Sequence, residues 1–208
     1  MYSTLPHFVL GFHGCDKSVA DEIISHSNKH LEQSTNEYDW LGHGIYFWEN
    51  NPARALEYAT FLKNHPERSS KGKKPIITPA VVGAVIDLGY CLNLLESHSL
   101  DVVKQSYKIL KDFCKSSESE MPENLVAKGS NELLRRNLDC AVIEEVHTFN
   151  KGSGRPAYDS VRGMFIEGKP IYKGAGIYDK SHIQICIREQ NCIKGYFHPR
   201  RLIDYASI

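Results

Sequence analysis

The sequence predicts an α+β domain, and three observations predict it. Short segments rich in β-branched and aromatic residues open and close the chain, a few segments with helical periodicity lie between them, and 208 residues suffice for one well-buried domain while cramping two. Residues 1–208 therefore form a single domain, with a helical insertion at about 93–137 between the halves of a sheet. Hydrophobic residues at 41% and charged residues at 24% exclude a disordered or membrane-embedded chain. Lys plus Arg and Asp plus Glu are equal at 25 each, so no net field draws in nucleic acid or an anionic membrane.

Phe8-Val9-Leu10 is a short apolar strand, and Gly11-Phe12-His13-Gly14 closes it as a glycine turn. Val19, Ala20, Ile23, Ile24 and Leu31 recur at helical spacing, which predicts a helix from Asp16, its N-cap, to about Leu31. Gly44-Ile45-Tyr46-Phe47-Trp48 reads as strand. Asn51 then caps a helix whose first residue is Pro52 and whose core face is Ala55, Tyr58, Ala59 and Leu62. The run from Arg68 to Lys74 is a solvated basic loop.

Val81 to Leu88 is a buried strand. Leu100, Val103, Tyr107, Leu110 and Cys114 mark the core face of a helix from about Ser99, and a second helix is expected around Glu123 to Arg136. Strands follow at Ala141–Val146, Ser160–Ile166, His182–Arg188 and Cys192–Phe197. The six cysteines show no metal-cage spacing and read as reduced, mostly buried thiols, so no metal is expected. No run reaches bilayer length and no charged leader precedes an apolar stretch at the start, so the expected workplace is cytoplasmic, away from membrane.

Two segments carry chemistry. His13-Gly14 sits at the end of the first strand, and Gly42-His43-Gly44-Ile45-Tyr46-Phe47 is followed within a dozen residues by Ala55, Glu57, Tyr58 and Ala59. Two glycines let the main chain approach a flat ligand, and an aromatic ring beside them offers a stacking face. In this order the segments resemble the poly-ADP-ribose-polymerase-like, H-Y-E type branch of the ADP-ribosyltransferases. The resemblance implies a split β-sheet core with flanking helices and a small helical insertion. It also implies NAD as co-substrate: His13 would bond the adenosine ribose, the Gly14 backbone would hold the nicotinamide amide, and Tyr46, beside Gly44, would stack on nicotinamide. Strand alternation puts Tyr46 and Trp48 on one face, so Trp48 would extend that wall.

The family's third motif is a glutamate at the start of a late strand, whose charge stabilises the oxocarbenium-like transition state as nicotinamide leaves. This chain departs from it, with Asp179-Lys180-Ser181-His182-Ile183-Gln184 in that region. Alternation sends Ile183, Ile185 and Ile187 to a core face and His182, Gln184, Cys186 and Arg188 to the other. Gln184 ranks first for the third position, His182 second and Asp179 third; Glu144, Glu145 and Glu167 are held in reserve. Ser34 and Asn36 are candidates for ribose or phosphate, Arg54 for the pyrophosphate, and Arg155 for an acceptor-recognition loop. The resemblance thus implies mono-ADP-ribosyl transfer from NAD to a macromolecular acceptor, protein or nucleic acid, with an antitoxin or immunity protein allowed as a partner. The alternatives are an NAD glycohydrolase toxin and a catalytically dead NAD or ADP-ribose-binding module.

Overall fold

A computed structural model describes residues 8–69, 74–126 and 133–200. Among these residues the chain is α+β, with seven strands in one mixed, mostly antiparallel sheet. Strand β1, Phe8–Asp16, does not stop at a glycine turn. It stays extended through His13-Gly14 because β3, Pro79–Asp87, pairs with it antiparallel along its whole length, from Phe8 opposite Asp87 to Asp16 opposite Pro79. Gly14 answers to packing: a Cβ there would lie 2.0 Å from the Ala55 carbonyl oxygen.

Asp16 caps helix α1, Lys17–Ser25, as expected, accepting from the Ser18 N–H at 3.0 Å. The helix ends six residues short of Leu31, where Ser27 and Asn28 favour local turns over helix. Leu31 still joins the core alongside Ala20 and Ile23. Strand β2, Ile45–Glu49, and helix α2, Pro52–Asn64, follow as expected, with Asn51 accepting from the Arg54 N–H at 3.0 Å. On α2 the buried residues are Ala55 and Ala59, whereas Tyr58 is exposed.

Strand β4, Cys91–Asn93, leads into helix α3, Ser97–Ser116. The face α3 buries carries Ser99, Ser106 and Cys114; Leu100 and Tyr107, expected in the core, are exposed. Where a helix over 123–136 was expected, Asn124–Leu125 (β5) and Arg135–Arg136 (β6) form a two-stranded ladder, and 127–132 lie outside the described residues. The strand expected at Ala141–Val146 is part of helix α4, Asn137–Gly152. The β-branched Val142, Ile143 and Val146 suggest strand, but Cys140, Ile143, His147 and Asn150 recur at three and four residues and are all buried.

The sheet is completed by β7, Ser160–Phe165, β8, His182–Ile187, and β9, Ile193–Phe197. Its order is β4-β7-β8-β2-β1-β3-β9. β4 and β7 are parallel neighbours, so the chain between them must cross over, and α3 and α4 are that crossover. One sheet face packs Ile45, Phe47, Val82, Ala84, Ile86, Ile185 and Ile187 under α1. The other face carries two smaller clusters, one with Leu41, Val161 and Cys186 against Ile143 and Val146 of α4, and one with Phe12 and Trp48 against Ala55 of α2. No helix among the described residues is long and apolar enough to cross a membrane.

Candidate functional site

The strands bearing His13, Tyr46 and Gln184 are neighbours: β1 pairs with β2, and β2 with β8. The register aligns Phe12 with Trp48, Trp48 with Gln184, and Gln184 with Gly163, which forms one row across four strands. Residues paired this way share a face, so Trp48 and Gln184 stand side by side, with His182 two residues along β8 on the same face. The sequence alternation for β2 and β8 therefore holds, although Cys186 on the polar side is fully buried under α4.

Four rings surround this row. Trp48 lies 5.1 Å from Tyr58 and 6.0 Å from His182; Phe165 lies 5.6 Å from His182 and 5.1 Å from Trp40. The Arg136 guanidinium sits 5.0 Å from the centre of the Phe165 ring. The Trp40 indole donates to Gln184 Oε1 at 2.6 Å. Three buried polar atoms in this region have no hydrogen-bond partner among the described residues: Trp48 Nε1, Arg54 Nε and His182 Nε2. Such atoms cost about 1–3 kcal/mol each when left alone, so their grouping calls for a physical explanation.

His182 has a defined tautomer. Its Nδ1 lies 2.7 Å from the Lys180 carbonyl oxygen, which can only accept, so Nδ1 carries the proton and Nε2 a lone pair. Burial, together with the Arg54 charge, holds the imidazole below the usual histidine range, against the pull of the Lys180 carbonyl. Although the Tyr58 side chain as a whole is exposed, crowding around its hydroxyl, reinforced by Tyr38, Asp39 and Glu167, pushes that group up to about 12. Arg54 spans Glu57 and Glu167, the latter at 2.9 Å, so the reserve candidate Glu167 joins the site as an anchor for Arg54.

The other expected residues have varied placements. His13 falls on the opposite face of β1 from Phe12, edge-on to Phe47 at 6.0 Å, and its Nδ1 lies 2.8 Å from the Tyr46 carbonyl oxygen. That contact joins β1 to β2 one step beyond the Phe12–Trp48 pair. The Tyr46 hydroxyl donates to the Gly42 carbonyl at 2.8 Å and accepts from the Leu41 N–H at 3.0 Å, and burial raises its pKa well above the ordinary value. It anchors the 41–44 turn. Gly44 lies flat against β8, where a Cβ would meet Ile187 O at 2.5 Å.

Ser34, Asn36 and Asp39 form a local network, with Asn36 Nδ2 donating to Ser34 Oγ at 2.8 Å and Asp39 Oδ2 accepting from the Asn36 N–H at 2.8 Å. Asp179 stands in the β7–β8 loop, accepting from the Lys169 N–H at 2.8 Å and filling the space over Gly168 at φ +94°. Glu144 ties α4 to the 42–44 turn and β8, accepting from the His43 N–H at 2.8 Å and from both Arg188 Nη atoms. Arg155 lies beyond the far end of α4, 5.3 Å from the Phe149 ring.

Sequence reading missed Trp40, Tyr58 and Phe165 as site residues. Trp40 carries a usable signal, a large aromatic just after the polar stretch from Glu32 to Asp39. Among the described residues no group of three His, Cys, Asp or Glu is placed to hold a metal ion. A surface hollow of about 640 Å³ between Glu120 and Asn137, and one of about 330 Å³ between Pro52 and Arg200, are lined by neither Trp48, His182 nor Gln184. No protein-family model matches the chain, and neither does any curated protein or solved structure.

Proposed function

We propose that this protein is an NAD-dependent ADP-ribosyltransferase that moves one ADP-ribose from NAD to a protein or nucleic-acid acceptor and releases nicotinamide. One observation carries the reading: Tyr46 and Gln184, far apart in sequence, stand on adjacent strands on the face that holds buried polar atoms without partners, and His13 on the neighbouring β1 reaches the Tyr46 carbonyl from the opposite face. The divergence of β1 from β2 past Phe12, with the His13 imidazole reaching the Tyr46 carbonyl, supports a split sheet of the ADP-ribosyltransferase kind. In this reading the nicotinamide ring lies among Trp48, Tyr58 and Tyr46, and Arg54 turns toward the pyrophosphate. Unpartnered N–H groups of Trp48 and Arg54 suit a ligand rich in oxygen acceptors.

The neutral Gln184 favours a second reading, a module that binds NAD or ADP-ribose without turnover, because an amide supplies no negative charge to an oxocarbenium-like sugar. Both are tested by incubating the protein and cell extract with NAD labelled in its adenylate and nicotinamide halves. Transfer gives free nicotinamide and labelled macromolecule in equal amounts. Free ADP-ribose without labelled macromolecule means hydrolysis; calorimetric binding of NAD without nicotinamide release means the module; absence of binding removes NAD from the reading.

A further inference from the structure

We propose that Trp40 is a positioning residue that locks the side-chain amide of Gln184 in one orientation, so that the third-motif position acts as a hydrogen-bond donor toward an acceptor oxygen of the ligand. The inference rests on the NAD reading for the identity of that ligand, and on side-chain geometry for everything else.

A glutamine amide has a donor end and an acceptor end, and nothing in its own chain fixes which one faces a ligand. Here the partner decides. An indole N–H can donate and has no lone pair to accept with, so the 2.6 Å contact from Trp40 Nε1 must end on Oε1. Flipping the amide would set N–H against N–H and lose the bond. Both Nε2 protons are thereby turned away from Trp40, and Nε2 makes no hydrogen bond among the described residues.

The indole itself has a fixed seat. Its ring packs 5.1 Å from Phe165, and its edge lies over Gly163, where a Cβ would come within 2.7 Å of Trp40 Cη2. Behind it the Gly42 N–H donates to Asp39 O at 2.7 Å, closing a tight turn around Trp40 and Leu41. Gly163 is also the β7 residue paired with Gln184, so the glycine makes room for the indole directly beside the amide it orients.

Glutamate at this position would keep the Trp40 contact, since a carboxylate accepts as well as an amide oxygen does, and would turn an acceptor toward the ligand in place of a donor. Protonation of that carboxyl would restore a donor. The two substitutions Trp40→Phe and Gln184→Glu therefore separate orientation from polarity.

The test follows nicotinamide release from NAD by the full chain across the acid to neutral range. Trp40→Phe should lower kcat about five- to tenfold, the worth of one neutral hydrogen bond, with KM within about twofold and an unchanged circular dichroism spectrum. Gln184→Glu should be slower than wild type at neutral pH and recover as the pH falls and its carboxyl gains a proton. Wild-type kcat in Trp40→Phe, or a Gln184→Glu variant faster than wild type at neutral pH, would overturn the proposal.

If wild-type protein releases no nicotinamide, the enzyme reading fails, and the orientation is decided by the Trp40 indole proton in ¹H–¹⁵N spectra. Faster exchange of that proton with solvent in Gln184→Leu upholds the contact; unchanged exchange removes it and the inference with it.

Discussion

Phe47 and Trp48 are consecutive residues of β2 with 0% and 6% exposure, yet they face two different environments. Phe47 enters a hydrocarbon layer of Ile45, Val82, Ala84, Ile86, Ile185 and Ile187 beneath α1, where the one ring beside it, His13, has its Nδ1 against the Tyr46 carbonyl. Trp48 enters a layer of rings and polar groups, where its own N–H, Arg54 Nε and His182 Nε2 lack partners. Equal burial on the two sides of one strand thus has opposite consequences. The hydrocarbon face supplies stability, and the face that holds Gln184 gives part of it up to polar atoms without partners among the described residues.

The comparison can be broken most directly at Phe47. Phe47→Ala should cost about 3–5 kcal/mol in urea or guanidinium unfolding, because the fully buried site is walled by backbone-anchored aliphatic groups that cannot collapse into the space. A loss below about 1 kcal/mol would mean that this face is not where stability resides.

A smaller effect is expected from His147, on the α4 side of the polar face, where neither ring nitrogen has a partner among the described residues. Burial, with a contribution from the Arg188 charge and against that of Glu144, holds this imidazole down to about 4. The folded value lies below the unfolded value of about 6.5, so the unfolded chain binds more protons between them. The resulting stability is complete above about pH 6.5 and is lost as pH falls toward about 4, by up to about 3 kcal/mol. Unfolding curves over this range should show that slope in wild type and a flatter one in His147→Phe; equal slopes would refute it.

The smallest expected change in stability is at Trp48. Trp48→Phe removes an indole N–H with no partner and keeps a ring against Tyr58, so unfolding should shift by no more than about 1 kcal/mol, while NAD binding measured by calorimetry weakens. A loss of several kcal/mol with NAD affinity intact would place Trp48 with Phe47 as a purely structural residue.

Much of the sheet was legible because strands with one hydrocarbon face alternate with period two. Ile185 and Ile187 were assigned to the core from that pattern and lie in it at 0% exposure, and Ile45 and Phe47, set by the same alternation on the face opposite Tyr46 and Trp48, lie there too. Local chemistry also placed the Asp16 and Asn51 caps. The failures have physical causes. His13-Gly14 looked like a turn because glycine permits one, but β3 holds the chain extended and the Ala55 carbonyl takes the space beside Gly14. The Ala141–Val146 run looked like strand from its β-branched residues, whereas burial of Cys140, Ile143, His147 and Asn150 along one helical face outweighed that preference. Leu100 and Tyr107 were assigned inward by spacing alone and are exposed, although Cys114 of the same stripe is buried and Val103 packs against the cluster that holds Ile143 and Val146 of α4.

By itself the sequence determined the α+β class, most strand positions, the two glycine-bearing segments and an amide in place of a carboxylate at position 184. These are local properties, set by side-chain type and spacing along a few residues. The tertiary structure alone decided that β8 lies beside β2, that Trp48 and Gln184 stand in one row, and that an indole 144 positions before Gln184 takes its amide oxygen. Hydrogen-bond partners of buried polar groups are chosen by whatever the fold brings within 3 Å or so, and no residue carries that choice in its own identity.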